Sequence, residues 1–385
     1  AQALGASLPR SIPAMMLRNG ASVPLKAGLS LAAAATLLAA ARRWPSVSSL
    51  LRIAGAGFSE ACGSQIYRIM LRVNRWRHRL TKTDSDSVHA IVTYGGWPTR
   101  VAVTSGRGRG YTLDEHGFAL APLPSMHRAL SGEGASEIYE PLGMAKLVYP
   151  LACAALRDAF PSATKVLVFD HILRDGARFR QEAKAVGEKT EMLASGPVFG
   201  VHGDYTVRSG FSRARSLLEP HESAQRIDAA LAQRFAFLNV WVPIEAVARD
   251  PLGLIEWASQ QPTDVQTLKF IYTHREGEIY RVVDGGAHHR WVYFPKMRVG
   301  ECLLFKVFDS DESGVARFSL HSAFEDPAAA RDAPERRSVE LRCIVFFGDV
   351  PDDFASTFVA PHLEKGSADQ DLHPRRELMP PTDVW

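Results

Sequence analysis

The feature that most constrains this chain is a succession of strand-like segments between residues 197 and 348, with helical stretches only twice in between. PVFGVHGDYTV (197–207), RFAFLNVWVPI (234–244), VQTLKFIYTH (265–274), HRWVYFPKM (289–297), ECLLFKVFDS (301–310), VARFSLHSAF (315–324) and RSVELRCIVFFG (337–348) are rich in β-branched and aromatic residues. The interruptions, HESAQRIDAALAQRF (221–235) and LGLIEWASQ (252–260), read as helices. Many strands with long, irregular connections and no strand–helix–strand alternation predict a β-sandwich or jelly roll rather than a parallel doubly wound sheet. Upstream, 88–95, 100–106 and 165–173 read as further strands, and 141–160 as helical.

Charge divides the chain. Residues 1–83 carry twelve Arg or Lys against one acid, Glu60, although the whole chain is only +3. The polar break TKTDSDS (81–87) is therefore taken as a boundary. It separates a basic extension over 1–83 from a folded domain over 84–354, followed by a poorly ordered tail over 355–385. The extension, rich in Ala, Ser and Arg, has the make-up of an organelle transit segment. Its apolar run over 27–41 is shorter than the roughly 20 residues that span a bilayer, and 64–80 reads as a basic amphipathic helix. A soluble protein, cytoplasmic or organellar, is the expectation, with membrane contact through the extension as the lesser alternative. The basic arm lacks the interleaved aromatics of a nucleic-acid surface, so no nucleic-acid partner is expected. Cys62, Cys153, Cys302 and Cys343 form no CxxC pair, which argues against a disulfide framework or structural zinc. The chain has no GxSxG, Walker or HExxH motif. GRGRG (106–110) reads as a turn and GASEIYEP (134–141) as a solvated helix start.

One triplet stands out. His202-Gly203-Asp204 is the single His-x-Asp of a chain with thirteen histidines, and chance alone supplies about one such triplet. Two His-x-Glu triplets, His274/Glu276 and His362/Glu364, fall in a hairpin turn and in the tail. His202 and Asp204 are expected inside a strand, where i and i+2 share a face and meet one ion. A third ligand from another strand would complete a facial triad with open positions. His321 is the best candidate, with His171, His288 and His289 as rivals. Fifteen residues beyond His321 come Arg336 and Ser338, an arginine fork and a hydroxyl suited to a dicarboxylate. The same face continues through Glu340 and Arg342 in an otherwise apolar strand, where charges need partners or a function.

Taken with YTLDEHGFAL, VFDHILR, VHGDYT, RFAFLNVWVPI, HRWVYFPKM, LLFKVFDS, ARFSLHSAFEDP and DAPERRSVELR, this order of residues resembles a family of bacterial and fungal oxygenases. That family uses iron and 2-oxoglutarate and includes the cephem 7-alpha-methoxylase component and gibberellin desaturase-like proteins. The resemblance spans Val88 to Phe347, about two thirds of the chain. It implies a mostly β protein with flanking helices and a double-stranded β-helix (jelly-roll, cupin-like) core. It also implies Fe(II) held by His202, Asp204 and His321. 2-Oxoglutarate would be anchored by Arg336 and Ser338, with Arg342 as second choice. The reaction implied is the O2-dependent hydroxylation or desaturation of a small organic, secondary-metabolite-like substrate, with release of succinate and CO2. Tyr205, Asn239 and Trp241 are expected in the substrate pocket. Two departures bear on the substrate: Val242 stands where the family usually has arginine, and Trp257 lies in a region usually rich in small polar residues. The competing reading is a catalytically silent jelly-roll binding or accessory protein.

Overall fold

The structure, a computed structural model, describes residues 86–178 (except 96 and 133), 196–271, 275–363 (except 284) and 375–378. The basic extension with its helical segments, and both His-x-Glu triplets as pairs, lie outside the described residues.

Among the described residues fourteen strands form two sheets. They begin with β1 (Ser87–Tyr94), β2 (Trp97–Ser105), β3 (Phe118–Pro122), β4 (Lys165–Asp175), β5 (His202–Gly203), β6 (Phe235–Pro243) and β7 (Leu252–Ile255). After them come β8 (Val265–Ile271), β9 (Glu276–Val282), β10 (Trp291–Tyr293), β11 (Glu301–Asp309), β12 (His321–Ala323), β13 (Arg337–Phe346) and β14 (Arg375–Leu378). The larger sheet has the order β1-β2-β10-β7-β12-β5-β9-β8-β14 and the smaller β3-β11-β6-β13-β4. Among the named strands only β10 and β2 pair in parallel. Neighbours distant in sequence and antiparallel pairing are the marks of a jelly roll.

The small sheet is buried on both faces. All nine residues of β6 are buried, which accounts for the continuous apolar run in the sequence. Phe235, Phe237 and Trp241 of β6 and Ile344 and Phe346 of β13 pack with Leu252, Leu254 and Val292 of the larger sheet. The alternate residues, Ala236, Leu238, Val240 and Val242, turn the other way with Val339, Leu341, Cys343 and Val345. That outer face is covered by α1 (Pro141–Leu147) and α2 (Tyr149–Ala159) through Met144, Ala152, Ala155 and Leu156. The predicted helix over 141–160 is thus two helices. Pro150 sits in the first turn of α2, where its missing N–H costs nothing.

Several expected strands are shorter than read. Of 197–207 only His202 and Gly203 form a strand, with Gly200 in an isolated bridge to Thr93, and Asp204 follows the strand in a bend. The chain then enters α3 (Val207–Leu218), which the strand reading overlooked. Thr206 and Ser209 form a capping box at its start, and Ser209, Gly210, Ala214, Leu217 and Leu218 make its buried stripe. His321 opens its strand instead of lying late in it. The stretch 252–260, read as a helix, is β7 followed by a 3-10 turn over Trp257–Ser259. A Cβ on Gly253 would stand 3.1 Å from the Trp291 ring and 3.2 Å from the Phe324 ring, so any larger residue there would force those rings to give by a few tenths of an ångström. The 221–235 segment contains α4 (Ala224–Leu231), capped by Ser223.

Candidate metal and dicarboxylate site

β12 pairs with β5 so that His321 stands directly opposite His202. Their rings approach to 4.4 Å between centroids. Asp204 Oδ1 lies 3.4 Å from His202 Nε2 and 3.8 Å from His321 Nε2. The three side chains anticipated from sequence are therefore brought together, although Asp204 is aimed by the bend after β5 rather than by strand alternation. Each histidine is oriented from behind: Nδ1 of His202 faces the Gly200 carbonyl at 2.8 Å and Nδ1 of His321 the Ser319 carbonyl at 3.0 Å. A carbonyl only accepts, so each Nδ1 carries a proton, and Nε2 is the ring atom each histidine would offer a metal at the common centre. The rim of His321 packs edge-on against Phe305 at 4.9 Å.

The carboxylate is oriented too. Asn239 Nδ2 donates to Asp204 Oδ2 at 2.8 Å, leaving Oδ1 toward the two histidines. The Asn239 carbonyl oxygen is buried and has no hydrogen-bond partner among the described residues. Burial alone would raise the Asp204 carboxyl. The His202 hydrogen bond and the charges of His321 and Arg342 overcome this and hold it well below the usual carboxylate range. Burial also opposes charge on His202, but its bond to Asp204 lifts it, whereas burial and the neighbouring His202 lower His321.

Facing this group, the inner side of the small sheet carries an unusual row of polar residues. Ser338, Glu340 and Arg342 of β13 are registered with Arg174, Ile172 and Asp170 of β4 and with Pro243, Trp241 and Asn239 of β6. Arg342 is paired with acids: Nη1 is 3.2 Å from Asp170 Oδ2 and Nε 3.7 Å from Glu340 Oε1, although that Nε, like the one of Arg336, makes no hydrogen bond among the described residues. Burial would lower its pKa, yet Asp170, Asp204 and Glu340 raise it above the ordinary arginine value. Arg336 differs. It is 4% exposed, donates from Nη1 to the Asp250 carbonyl and lies over the Trp241 ring at 5.5 Å. Its Nε and the Ser338 hydroxyl are both buried without a hydrogen-bond partner among the described residues. Burial and the nearby Arg174 push its pKa down to about 10, against the pull of Asp250 and Glu340. A buried cation with a donor to spare, beside a buried hydroxyl, is equipped for an anion.

Tyr205 stacks on Phe237 at 4.9 Å between centroids, next to Asp204. Among the rivals of His321, His171 bonds Tyr149 at 2.8 Å, and His288 and His289 converge on Asp264 instead. Val242, where the resemblance implies an arginine, packs in the helix-side core and not on the inner face. Trp257 lies edge-on to Phe318 at 5.3 Å. Sequence reasoning missed Asp170 and Arg174. Their signal was present as two polar residues four apart, and so on one face, in the strand KVLVFDHILRD, the same-face pattern that drew attention to Glu340 and Arg342.

A family model described as an oxidoreductase/YMDC permease-like domain matches residues 78–346. The chain is 30% identical over 249 residues to the alpha-ketoglutarate-dependent dioxygenase phiK of Fungal sp., covering 64% of this chain and 83% of that protein. It is 28% identical over 261 residues to the hydroxylase/desaturase CTB9 of Cercospora beticola, covering 65% and 76%. Among solved structures, the iron and alpha-ketoglutarate-dependent endoperoxidase NvfI superposes with a TM-score of 0.52 at 19% identity, over 68% of this chain and 97% of that one. That likeness supports the jelly-roll fold.

Proposed function

The chain belongs to this oxidoreductase family, whose matching members include iron(II)/2-oxoglutarate-dependent dioxygenases, hydroxylases and desaturases, and from that premise we propose that His202, Asp204 and His321 hold its iron. The observation that carries the assignment is the convergence of two Nε2 atoms and one carboxylate oxygen, all within 4.8 Å of one another. Two histidines and one carboxylate are the donor set of non-haem iron(II) sites that keep positions open. When bound there, iron supplies the oxidative chemistry, coupling O2 and the conversion of 2-oxoglutarate to succinate and CO2 to oxidation of a substrate C–H bond.

The residues of the chain do the rest. Arg336 Nε and the Ser338 hydroxyl bind the distal carboxylate of 2-oxoglutarate, and Trp241 lines that end beneath the guanidinium. Arg342, already balanced by Asp170 and Glu340, keeps Asp204 ionised and is not the cosubstrate's partner. Asn239 fixes which Asp204 oxygen faces the metal. Phe305, edge-on against His321, shields that histidine from bulk water, which strengthens each polar contact in the site. The substrate is a small organic molecule, hydroxylated or desaturated.

The test is optical. Anaerobic Fe(II) with 2-oxoglutarate should produce a weak visible charge-transfer band in the wild type, absent from His202→Ala and Asp204→Ala. Folded, iron-loaded wild-type protein without that band would overturn the reading in favour of a silent jelly-roll binding protein.

A further inference from the structure

Among the described residues a second group shares the His/His/Asp donor set: Asp264, His288 and His289. Asp264 ends the 3-10 turn that precedes β8, and its side chain is 3% exposed, as against 1% for His289 and 33% for His288. His288 Nε2 lies 3.0 Å from Oδ1 and 3.1 Å from Oδ2 of Asp264, and His289 Nε2 lies 2.9 Å from Oδ2. The two rings stand 4.5 Å apart at 60°, so both Nε2 atoms point at one carboxylate from different directions.

We propose that this group is a second divalent-metal site, of the zinc type, independent of the iron site. Zinc bonds to imidazole nitrogen and carboxylate oxygen are about 2.0–2.2 Å, so tetrahedral donors sit roughly 3.3 Å apart. An ion enters after the donors separate by a few tenths of an ångström, replacing the N–H protons that now bridge them. The surroundings suit this exchange. Tyr94 Oη is 2.9 Å from His289 Nδ1 and receives Trp291 Nε1–H at 2.8 Å. A hydroxyl oxygen has two lone pairs, so it can accept from His289 Nδ1–H as well, leaving Nε2 free for the metal. Such a partner behind a ligating histidine is what metal sites use to fix the ring. The Gln261 backbone N–H, 2.6 Å from Asp264 Oδ2, anchors the carboxylate.

Two imidazoles and one carboxylate select zinc, cobalt, nickel or copper over magnesium or calcium. The exposed side of His288 leaves the fourth position to water. In the larger sheet four strands separate β8 from β10, and the site joins the turn entering β8 to the segment entering β10. A bound ion would therefore act as a clasp on the sheet.

Titration of metal-stripped protein with Co2+, followed by visible absorption, and with Zn2+ by calorimetry tests this. Wild type should bind two equivalents. His202→Ala and His288→Ala should each bind one, and the doubly substituted protein none. The equivalent left in His202→Ala should weaken at least about tenfold with Asp264→Asn, and Zn2+ should raise the Tm of His202→Ala but not of His202→Ala/His288→Ala. A wild type that binds one equivalent, lost in His202→Ala, would overturn the clasp and leave the iron assignment standing. Two equivalents retained in both His288→Ala and Asp264→Asn would overturn it as well.

Discussion

Asn239 orients the carboxylate proposed to bind iron through one hydrogen bond to Asp204 Oδ2. Removing it frees the carboxylate to rotate away from the two Nε2 atoms. Partners of this kind typically contribute 10- to 100-fold in metal affinity, so Asn239→Ala should weaken Fe(II) or Mn(II) binding by about that factor while the protein stays folded. An unchanged metal affinity would show that Asp204 needs no such support. The two arginines of β13 and its entrance make an opposed pair of predictions. Arg336→Ala should raise the KM for 2-oxoglutarate at least tenfold with iron affinity retained. Arg342→Ala should instead lower stability, because it strips Asp170 and Glu340 of their shared cation. If the KM effect follows Arg342 and not Arg336, the roles assigned to them are reversed. The order of these residues was legible in the sequence. What distinguished Arg336 from Arg342 was not, since it depends on which acids β4 places across from each.

At the level of elements, the strands buried on both faces were the readable ones. β6, β11 and β13 announce themselves as apolar runs, and their ends fall close to the predicted limits. β5 and β12 were overread because short paired segments in a curled sheet share composition with the loops beside them. The α3 start was also available, in Thr206 and Ser209 spaced as a capping box, but the strand pattern before it dominated. β11 carries a further device. Lys306, fully buried, lies 2.6 Å from both Asp114 Oδ1 and Asp309 Oδ2, and Arg234 closes the group through the same two acids. Lys306→Met should cost about 3 kcal/mol in urea unfolding, the low end for breaking a buried pair because Arg234 still serves Asp309. Burial would raise the Asp114 carboxyl, but Lys306 and Arg234 hold it below its ordinary value. Its contribution is therefore complete above the ordinary carboxylate range near pH ~4 and fades as pH falls through the lowered value. The variant should show a shallower acid loss over that window. An equal acid slope in both proteins would mean Asp114 is not the titrating group.

Across the whole molecule, the two sheets contribute different halves of one site. His202 and His321 sit on strands of the larger sheet and Asp204 follows β5 directly, whereas Ser338 belongs to the smaller sheet and Arg336 immediately precedes its β13. A dicarboxylate that chelates a metal at one end and meets Arg336 at the other thus bridges the layers. The jelly-roll class was readable from strand succession, but this division of labour was not, because it arises from pairings between strands more than a hundred residues apart, such as His321 with His202. Bridging has a thermodynamic signature. A ligand that binds only the folded state stabilises it by RT ln(1 + [L]/Kd), about 2.7 kcal/mol at a hundredfold excess over Kd. Mn(II), redox-silent under these conditions, should raise the Tm alone, since its three ligands lie together. 2-Oxoglutarate alone should do little, because the chelating end lacks its metal. Both together should stabilise by more than the sum of the two, and the excess should vanish in either His202→Ala or Arg336→Ala. If 2-oxoglutarate raises the Tm equally with and without Mn(II), it does not span the sheets, and Arg336 binds it as an isolated anion site.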